Sequence, residues 1–506
     1  MLIPYCVLSL LATAASARSP YHTAKTEGFA VNGSAIPDID FDIGESYAGY
    51  LDNSPSGDSS LYFWFFPTTN PNATDEITIW LSGCPGCSSL LSLIQETGPF
   101  LWKPGTYKPT RNPYSWNNLT NIVYVDQPAG TGFSLGPPTV HDEEDVAREF
   151  MDFWVRFMQT FALQDRKVYI TGESWAGVYI PYIASAMLDK ENSTYFDVKG
   201  VHLIDPVINS MEMSTDASAL SMVQRNQPLF ALNHTFMTDI THRASQCGYT
   251  DLMNLALQFP PPQDSPPLPP PPSNQFPNCS IWESITSAAR LLNPCFNPYN
   301  IRDYCPYPWN VMNFPSSSAG PHNYFNRSDV QKAINAYPTD YSACGADNSA
   351  PIFGDNGDPS PPSSFTKLPS VVERTNNTIV AHGALDFALV AEGTLATIQN
   401  MSWNGARGFQ REPEGALFVP YLGGGGYPAA GDDMDMSSLR MDWISGAGEV
   451  GVAHTERGLT FTLVFLAGHQ MPQYTPGAAY RQLELLLGRI GDLSTPVETF
   501  STGGGP

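Results

Sequence analysis

Short runs of β-branched and aromatic residues, each closing on Gly, Asp or Ser, recur along the chain: "EITIWLSG", "NIVYVDQPAG", "KVYITGES", "TIVAHGALD" and "FTLVFLAGH". Continuous apolar runs of this length predict strands buried on both faces, as in a parallel sheet. Helical patterns lie between them. The clearest is "DEEDVAREFMDFWVRFMQTF", where Val146, Phe150, Trp154, Phe157 and Phe161 recur three to four residues apart behind an acidic first turn. That first turn suits the helix dipole, and the spacing gives one apolar face. Strands alternating with helices predict an α/β, doubly wound architecture: a mostly parallel central sheet with helices on both faces.

Residues 210–322 break the rhythm. This stretch holds four of the cysteines and the segment "FPPPQDSPPLPPPPSNQFP". A proline run of that density joins neither a helix nor a central strand, and predicts an extended exposed loop. The region is expected to be a cap inserted between two parts of one catalytic core, residues 18–209 and 323–495, with a flexible tail at 496–506. The glycine run 423–426 is expected in a second, loop-like insertion. No Lys or helix start follows it, so it does not read as a phosphate cradle.

With 49 acidic against 25 basic residues the formal charge is −24. Nucleic acid and anionic membranes want basic patches, so this balance argues against both as partners. It suits a protein that is exported or works in acid. The start, "MLIPYCVLSLLATAASARSP", has an apolar core too short to span a bilayer and closes on Ala15-Ser16-Ala17. That predicts a signal peptide over 1–17, although its first residues lack a Lys or Arg. No later run predicts a membrane anchor. Sequons at Asn32, Asn72, Asn118, Asn192, Asn233, Asn278, Asn326, Asn376 and Asn400 also point to the secretory pathway, whether the destination is the exterior or a vacuolar or lysosomal lumen.

Removing Cys6 with the signal peptide leaves seven of the eight cysteines, enough in an oxidising compartment for three disulfides and one free thiol. The pair Cys84-Pro-Gly-Cys87 matches a thiol redox motif or half of a zinc site. No second pair lies at ligand spacing and H-E-x-x-H is absent, so no metal and no cofactor is expected.

"KVYITGESWAG" carries the chemistry. A strand runs at once into Gly172-Glu-Ser174-Trp-Ala176, the strand–turn–helix setting of a nucleophile elbow, with Ala176 at the position of the second glycine of G-x-S-x-G. Among nine histidines, His234 lies in a sequon, and His202 and His382 lie within strands. His469 instead follows "FTLVFLAG" at a strand's carboxyl end, where open α/β sheets place their sites. Asp386 closes "TIVAHGAL" in the same way. The order Ser174, Asp386, His469 is that of α/β-hydrolase triads.

Over roughly residues 40–490 the chain resembles the serine carboxypeptidase family. The resemblance rests on "SYAGYLD", "WLSGCPGCSSL", "ETGPF", "DQPAGTGFS", "GESWAGVYIP", "MSWNGARGF" and "GHQMPQYTP", in the family's order. It implies an α/β-hydrolase fold with a cap, and release of C-terminal residues from peptides and proteins in acid through an acyl-enzyme. Carried over by position, it implies Ser174 as nucleophile, His469 as base, Asp386 as the acid that orients it, and the N–H groups of Cys84 and Trp175 as oxyanion hole. It also implies a site for the substrate's C-terminal carboxylate built from Trp80, Ser82, Gly83 and the proton-sharing pair Glu96 and Glu173. Cys87 would pair with Cys344, leaving Cys84 as the odd thiol. Pairing among Cys247, Cys279, Cys295 and Cys305 stays open, as does oligomeric state.

Three positions depart from the family pattern. Ser82 replaces a carboxylate-binding Asn, Cys84 replaces a Gly, and Trp175 replaces a Tyr beside the nucleophile. A side chain at Cys84 is harmful if that residue needs a positive φ. The change at Ser82 keeps two other readings open, an acyltransferase or esterase with the same triad and a catalytically inactive secreted binding homologue.

Overall fold

The computed structural model describes residues 19–262, 271, 278–314, 323–344, 352–355, 357–421 and 446–500. The expected signal peptide at 1–17, the glycine run 423–426, residues 501–506 of the tail, and residues 263–270 and 272–277 of the proline-rich stretch lie outside the described residues.

Among the described residues, one eleven-stranded sheet organises the molecule. Its strands in chain order are β1 (Ala30–Val31), β2 (Ser46–Asp52), β3 (Ser60–Phe66), β4 (Glu76–Leu81), β5 (Asn121–Asp126), β6 (Lys167–Glu173), β7 (Asp197–Ile204), β8 (Thr378–Gly383), β9 (Gly415–Val419), β10 (Gly448–Glu456) and β11 (Leu459–Val464). Across the sheet they run β1-β2-β3-β5-β4-β6-β7-β8-β11-β10-β9. The central strands from β5 to β11 pair in parallel. Both flanks are antiparallel.

The apolar runs are buried on both faces, and alternation assigns each side chain to one of them. In β3, Leu61, Phe63 and Phe65 belong to one core while Tyr62, Trp64 and Phe66 belong to the other. The first core is covered by α1 (Glu143–Thr160), α2 (Ala176–Asp189) and other helices. Helix α1 starts where its acidic residues predict: Asp142 caps it by accepting the Asp145 N–H at 2.9 Å, and Val146, Phe150, Trp154 and Phe157 face inward.

Between β7 and β8 the chain leaves the sheet and forms α3 (Asp216–Arg225), α4 (His234–Gln246), α5 (Tyr249–Ala256) and α6 (Ile281–Leu292). These pack on one another in a third core that meets the rest of the molecule through Phe387, Val390 and Ala396. Cys247–Cys279 joins the end of α4 to the start of α6, and Cys295–Cys305 closes the loop that follows. Cys87–Cys344 ties the loop after β4 to the segment leading back to the sheet. Then α7 (Lys367–Thr375) adds Leu368, Val371 and Val372 to the first face, and α8 (Ala391–Asn400) follows β8. The opposite face is closed by α9 (Pro476–Leu486), through Ala478, Ala479, Tyr480, Leu483 and Leu486. Among the described residues, no helix is long and apolar enough to cross a membrane.

Candidate active site

Four adjacent strands, β6, β7, β8 and β11, end on the same edge of the sheet, and each hands over to a polar residue. Strand β6 stops at Glu173 and α2 starts at Ala176, leaving Ser174 on the turn with φ 65°. That left-handed conformation is strained for a residue with a side chain, and it lifts the half-buried hydroxyl off the sheet edge. The strain is held by the neighbouring strand: the Ser174 N–H donates to Ile204 O at 2.9 Å, and Ser174 O accepts the N–H groups of Val207 and Gly177. Gly172 makes the turn possible. A Cβ there would meet Leu81 O at 2.1 Å and Ala176 Cβ at 2.8 Å.

Asp386 and His469 come from the loops after β8 and β11. Asp386 is buried, and its Oδ1 accepts the N–H groups of Ala388 at 2.8 Å and Leu389 at 3.1 Å. Its Oδ2 lies 2.7 Å from His469 Nδ1. A proton on Nδ1 leaves Nε2 as the basic nitrogen. The His469 N–H donates to Tyr299 O at 2.7 Å, and the Tyr299 ring stands edge-on to the imidazole with centroids 5.1 Å apart. Tyr299 belongs to the loop closed by Cys295–Cys305, so the segment between β7 and β8 itself holds the histidine.

The loop after β4 comes close to the elbow. A Cβ on Gly83 would lie 2.2 Å from Trp175 N, so only glycine permits this approach. Among the described residues, the N–H groups of Cys84 and Trp175 reach no acceptor. Two free main-chain donors beside a nucleophile are what an oxyanion needs. Cys84 has φ 94°, in the region that favours glycine, and carries an exposed free thiol. Its sulfur lies within 4.8 Å of those of Cys87 and Cys344, and desolvation by the surrounding protein raises its pKa. Because Cys87 is bridged to Cys344, the C-x-x-C pair is not a dithiol. Trp175 points its Nε1–H at Glu143 Oε1, 3.2 Å away. Glu143, the first residue of α1, is held protonated well above the usual carboxylate range by burial and then by Asp358.

Glu96 lies in a π-helical turn, Leu93–Thr97, and meets Glu173 at the end of β6. Both carboxyls are buried, and burial raises the pKa of each. The charge of Glu96 raises Glu173 further, as expected of two neighbouring buried acids that cannot both ionise cheaply. Ser82 lies beside this pair: its Oγ accepts from Trp80 Nε1 at 3.3 Å and lies 3.2 Å from Ser92 Oγ, one turn before Glu96.

A profile of the serine carboxypeptidase family matches residues 37–488. The chain belongs to the serine carboxypeptidase family. It is 52% identical over 481 residues to a carboxypeptidase Y homolog of Arthroderma benhamiae, covering 95% of this chain and 90% of that one. It is 39% identical over 478 residues to serine-type carboxypeptidase F of Aspergillus niger, covering 92% and 87%. Among solved structures it resembles Kex1(Δ)p, a prohormone-processing carboxypeptidase of Saccharomyces cerevisiae, with a TM-score of 0.70 at 22% identity, over 92% of this chain and 96% of that one. The fold is therefore the α/β-hydrolase fold, and the protein is a serine-type carboxypeptidase, a hydrolase of peptides.

This serine carboxypeptidase places further residues at the site that the motifs do not single out. Ser92 hides in an apolar helical turn, and Tyr299 in the inserted segment. His382 is a buried strand residue, as its position within a strand predicts. It also lies 3.6 Å from Asp386 Oδ2 while its Nε2 pairs with Leu389 O at 2.8 Å. Asp205 directly follows β7, and Asp386 lies three residues past the end of β8. Among the described residues, two groups converge closely enough to be considered as metal ligands, Cys84 with Cys87 and Cys344, and Asp205 with Asp386 and His469. The first includes a disulfide, whose sulfurs are not thiolates. In the second, the Asp386 and His469 donor atoms are already bonded to each other.

Proposed function

We propose that this carboxypeptidase works through an acyl-enzyme formed on Ser174 and is most active in acid. Ser174 Oγ attacks the carbonyl carbon of the last peptide bond while His469 Nε2 takes its proton. Asp386 holds the proton-bearing Nδ1 and stabilises the imidazolium. The oxyanion forms against the N–H groups of Cys84 and Trp175, where losing one donor typically costs about 10²–10³ in rate. His469 then protonates the departing amino group, and water repeats the sequence to release the acyl chain. The free carboxylate of the C-terminal residue accepts a hydrogen bond from the protonated Glu96–Glu173 pair, beside Gly83, Ser82 and Trp80. Recognising that carboxylate makes the enzyme an exopeptidase acting on peptide and protein C-termini.

The observation that carries this reading is the 2.7 Å contact between Asp386 Oδ2 and His469 Nδ1 on the edge that also presents Ser174. Labelling by a fluorophosphonate tests it: the wild type is expected to label and Ser174→Ala to lose the label. A label that survives, or that maps to another serine, would overturn the assignment.

The reading extends to the rest of the chain. Residues 18–209 and 323–495 form the catalytic core, 210–322 a cap that brings Tyr299 to the histidine, and 496–506 a tail. Three disulfides support export after loss of residues 1–17, to the exterior or a vacuolar lumen. Asn32, Asn72, Asn192, Asn233, Asn278, Asn326 and Asn376 are exposed, which supports glycan attachment there; Asn118 and Asn400 are half-buried.

A further inference from the structure

Beneath the Asp386–His469 pair lies a second carboxyl, Asp205, which none of the preceding chemistry uses. It directly follows β7, with φ 43°, and is fully buried. Its Oδ1 accepts the Gly383 N–H at 2.7 Å. Its Oδ2 has no donor among the described residues, and the carboxyl lies beside that of Asp386. Oxygen atoms of Asp205 and Asp386 and a ring nitrogen of His469 all lie within 4.8 Å of one another.

We propose that Asp205 is a positioning residue of the triad: it carries a proton, donates it to Asp386, and so sets how strong a base His469 is. The inference rests on the triad reading above and deepens it. Two ionised carboxylates in contact inside a wholly buried space would repel at close range with nothing to screen them. One proton must lie between them, and the donors decide where. Asp386 is already served by the N–H groups of Ala388 and Leu389 and by His469. Asp205 is served by one N–H. His382 Nε2 approaches Asp205 Oδ1 to 3.5 Å, but it bonds Leu389 O at 2.8 Å, so its proton is directed elsewhere. The carboxylate is therefore Asp386 and the acid is Asp205. Burial, with the Asp386 charge second, holds the Asp205 pKa well above the usual carboxylate range.

A hydrogen bond donated to a carboxylate disperses its charge. Asp386 then stabilises the His469 imidazolium less, and His469 stays neutral, and basic, to lower pH. Other groups facing this cluster are His382 on β8, Glu96 and Glu173, and Tyr299 against the imidazole. Glu96 and Glu173 titrate with the substrate carboxylate, so the test uses an ester with a blocked C-terminus, which does not need them.

On that ester, the acid limb of the kcat/KM profile reports His469 in the free enzyme. Asp205→Ala is expected to move this limb upward by about one pH unit, a roughly tenfold loss of kcat/KM at any fixed pH below it. Asp205→Asn keeps an uncharged N–H donor and is expected to leave the limb where the wild type has it. A limb unmoved in a folded Asp205→Ala protein would overturn the proposal. So would a downward shift in Asp205→Asn, which would mean that an anion had been removed. If Asp205→Ala does not fold, proton NMR of the other two proteins decides. Wild type is expected to show two far-downfield protons, one on His469 Nδ1 and one between the carboxyls, and Asp205→Asn only the first. A single such proton in wild type would rule the shared proton out. The triad reading fails separately, if His469→Gln retains ester hydrolysis.

Discussion

Cys84 concentrates the unusual chemistry of this chain in one residue. Its backbone is needed for the oxyanion and its φ of 94° is one that glycine adopts without cost. A side chain in the left-handed region costs about 1–2 kcal/mol. Cys84→Gly removes that strain but gives the unfolded chain more freedom, so the expected net gain is about 0.5–1 kcal/mol in a urea titration. The same change is expected to preserve peptidase activity and to abolish inhibition by mercurials, which in the wild type crowd the oxyanion hole from the exposed thiol. A fall in stability, or sensitivity that persists, would count against this account. So would peptide mapping that found Cys84 joined to Cys87. At this scale the sequence is legible where chemistry follows a strand: Ser174, Asp386 and His469 each come just after a β-branched run. Asp205 follows such a run too, but the Pro after it makes the pair read as a turn. Ser82 reads from the sequence as a shortened carboxylate ligand. Its hydroxyl pairs with Trp80 and Ser92, and a serine in "SSLLSLI" gives no sign of that partnership.

The elements explain what periodicity cannot show. Alternation places the strands and their two buried faces, and an acidic first turn places the start of α1. The turn Leu93–Thr97 is π-helical, and a wider turn of that kind re-aims side chains relative to the 3.6-residue pattern. That is how Glu96 comes to face Glu173 across from another element. The pair donates its proton in a hydrogen bond to the substrate carboxylate in our reading, and burial keeps that proton bound above the usual carboxylate range. As pH rises through that elevated titration the proton leaves, and substrate and pair then repel. KM for free-acid peptides is expected to climb with pH over that window, while KM for amide-blocked peptides stays nearly flat. Glu96→Gln should flatten the free-acid profile, since the amide donates at any pH. An equal rise for both substrates would remove the pair from carboxylate recognition.

The whole molecule carries the same preference for acid in its stability. Several carboxyls are buried with raised pKa values: Asp126 to about 6, and Glu143, Glu173 and Asp205 well above the usual range, with burial the first cause in each case. In the unfolded chain these groups release their protons near pH 4. Between that value and the folded value the native state holds more protons, so its stability is full below about pH 4 and declines as pH rises. Asp126 alone accounts for about two units, or on the order of 3 kcal/mol lost by neutral pH. Asp40, Asp75, Asp145 and Asp329 act in the opposite direction, since cationic partners help hold their pKa values down. They are largely solvated and screened, so each contributes little; that contribution is present above about pH 4 and is lost as pH falls below it. The formal charge of −24 adds repulsion over the same range in which the buried carboxyls ionise. Urea midpoints with the disulfides intact should therefore be highest near pH 4–5 and fall steadily toward pH 8. Asp126→Asn should make that decline shallower even if it lowers the midpoint in acid. A midpoint that rises from pH 5 to pH 8 would mean that these carboxyls ionise in the folded protein at ordinary values.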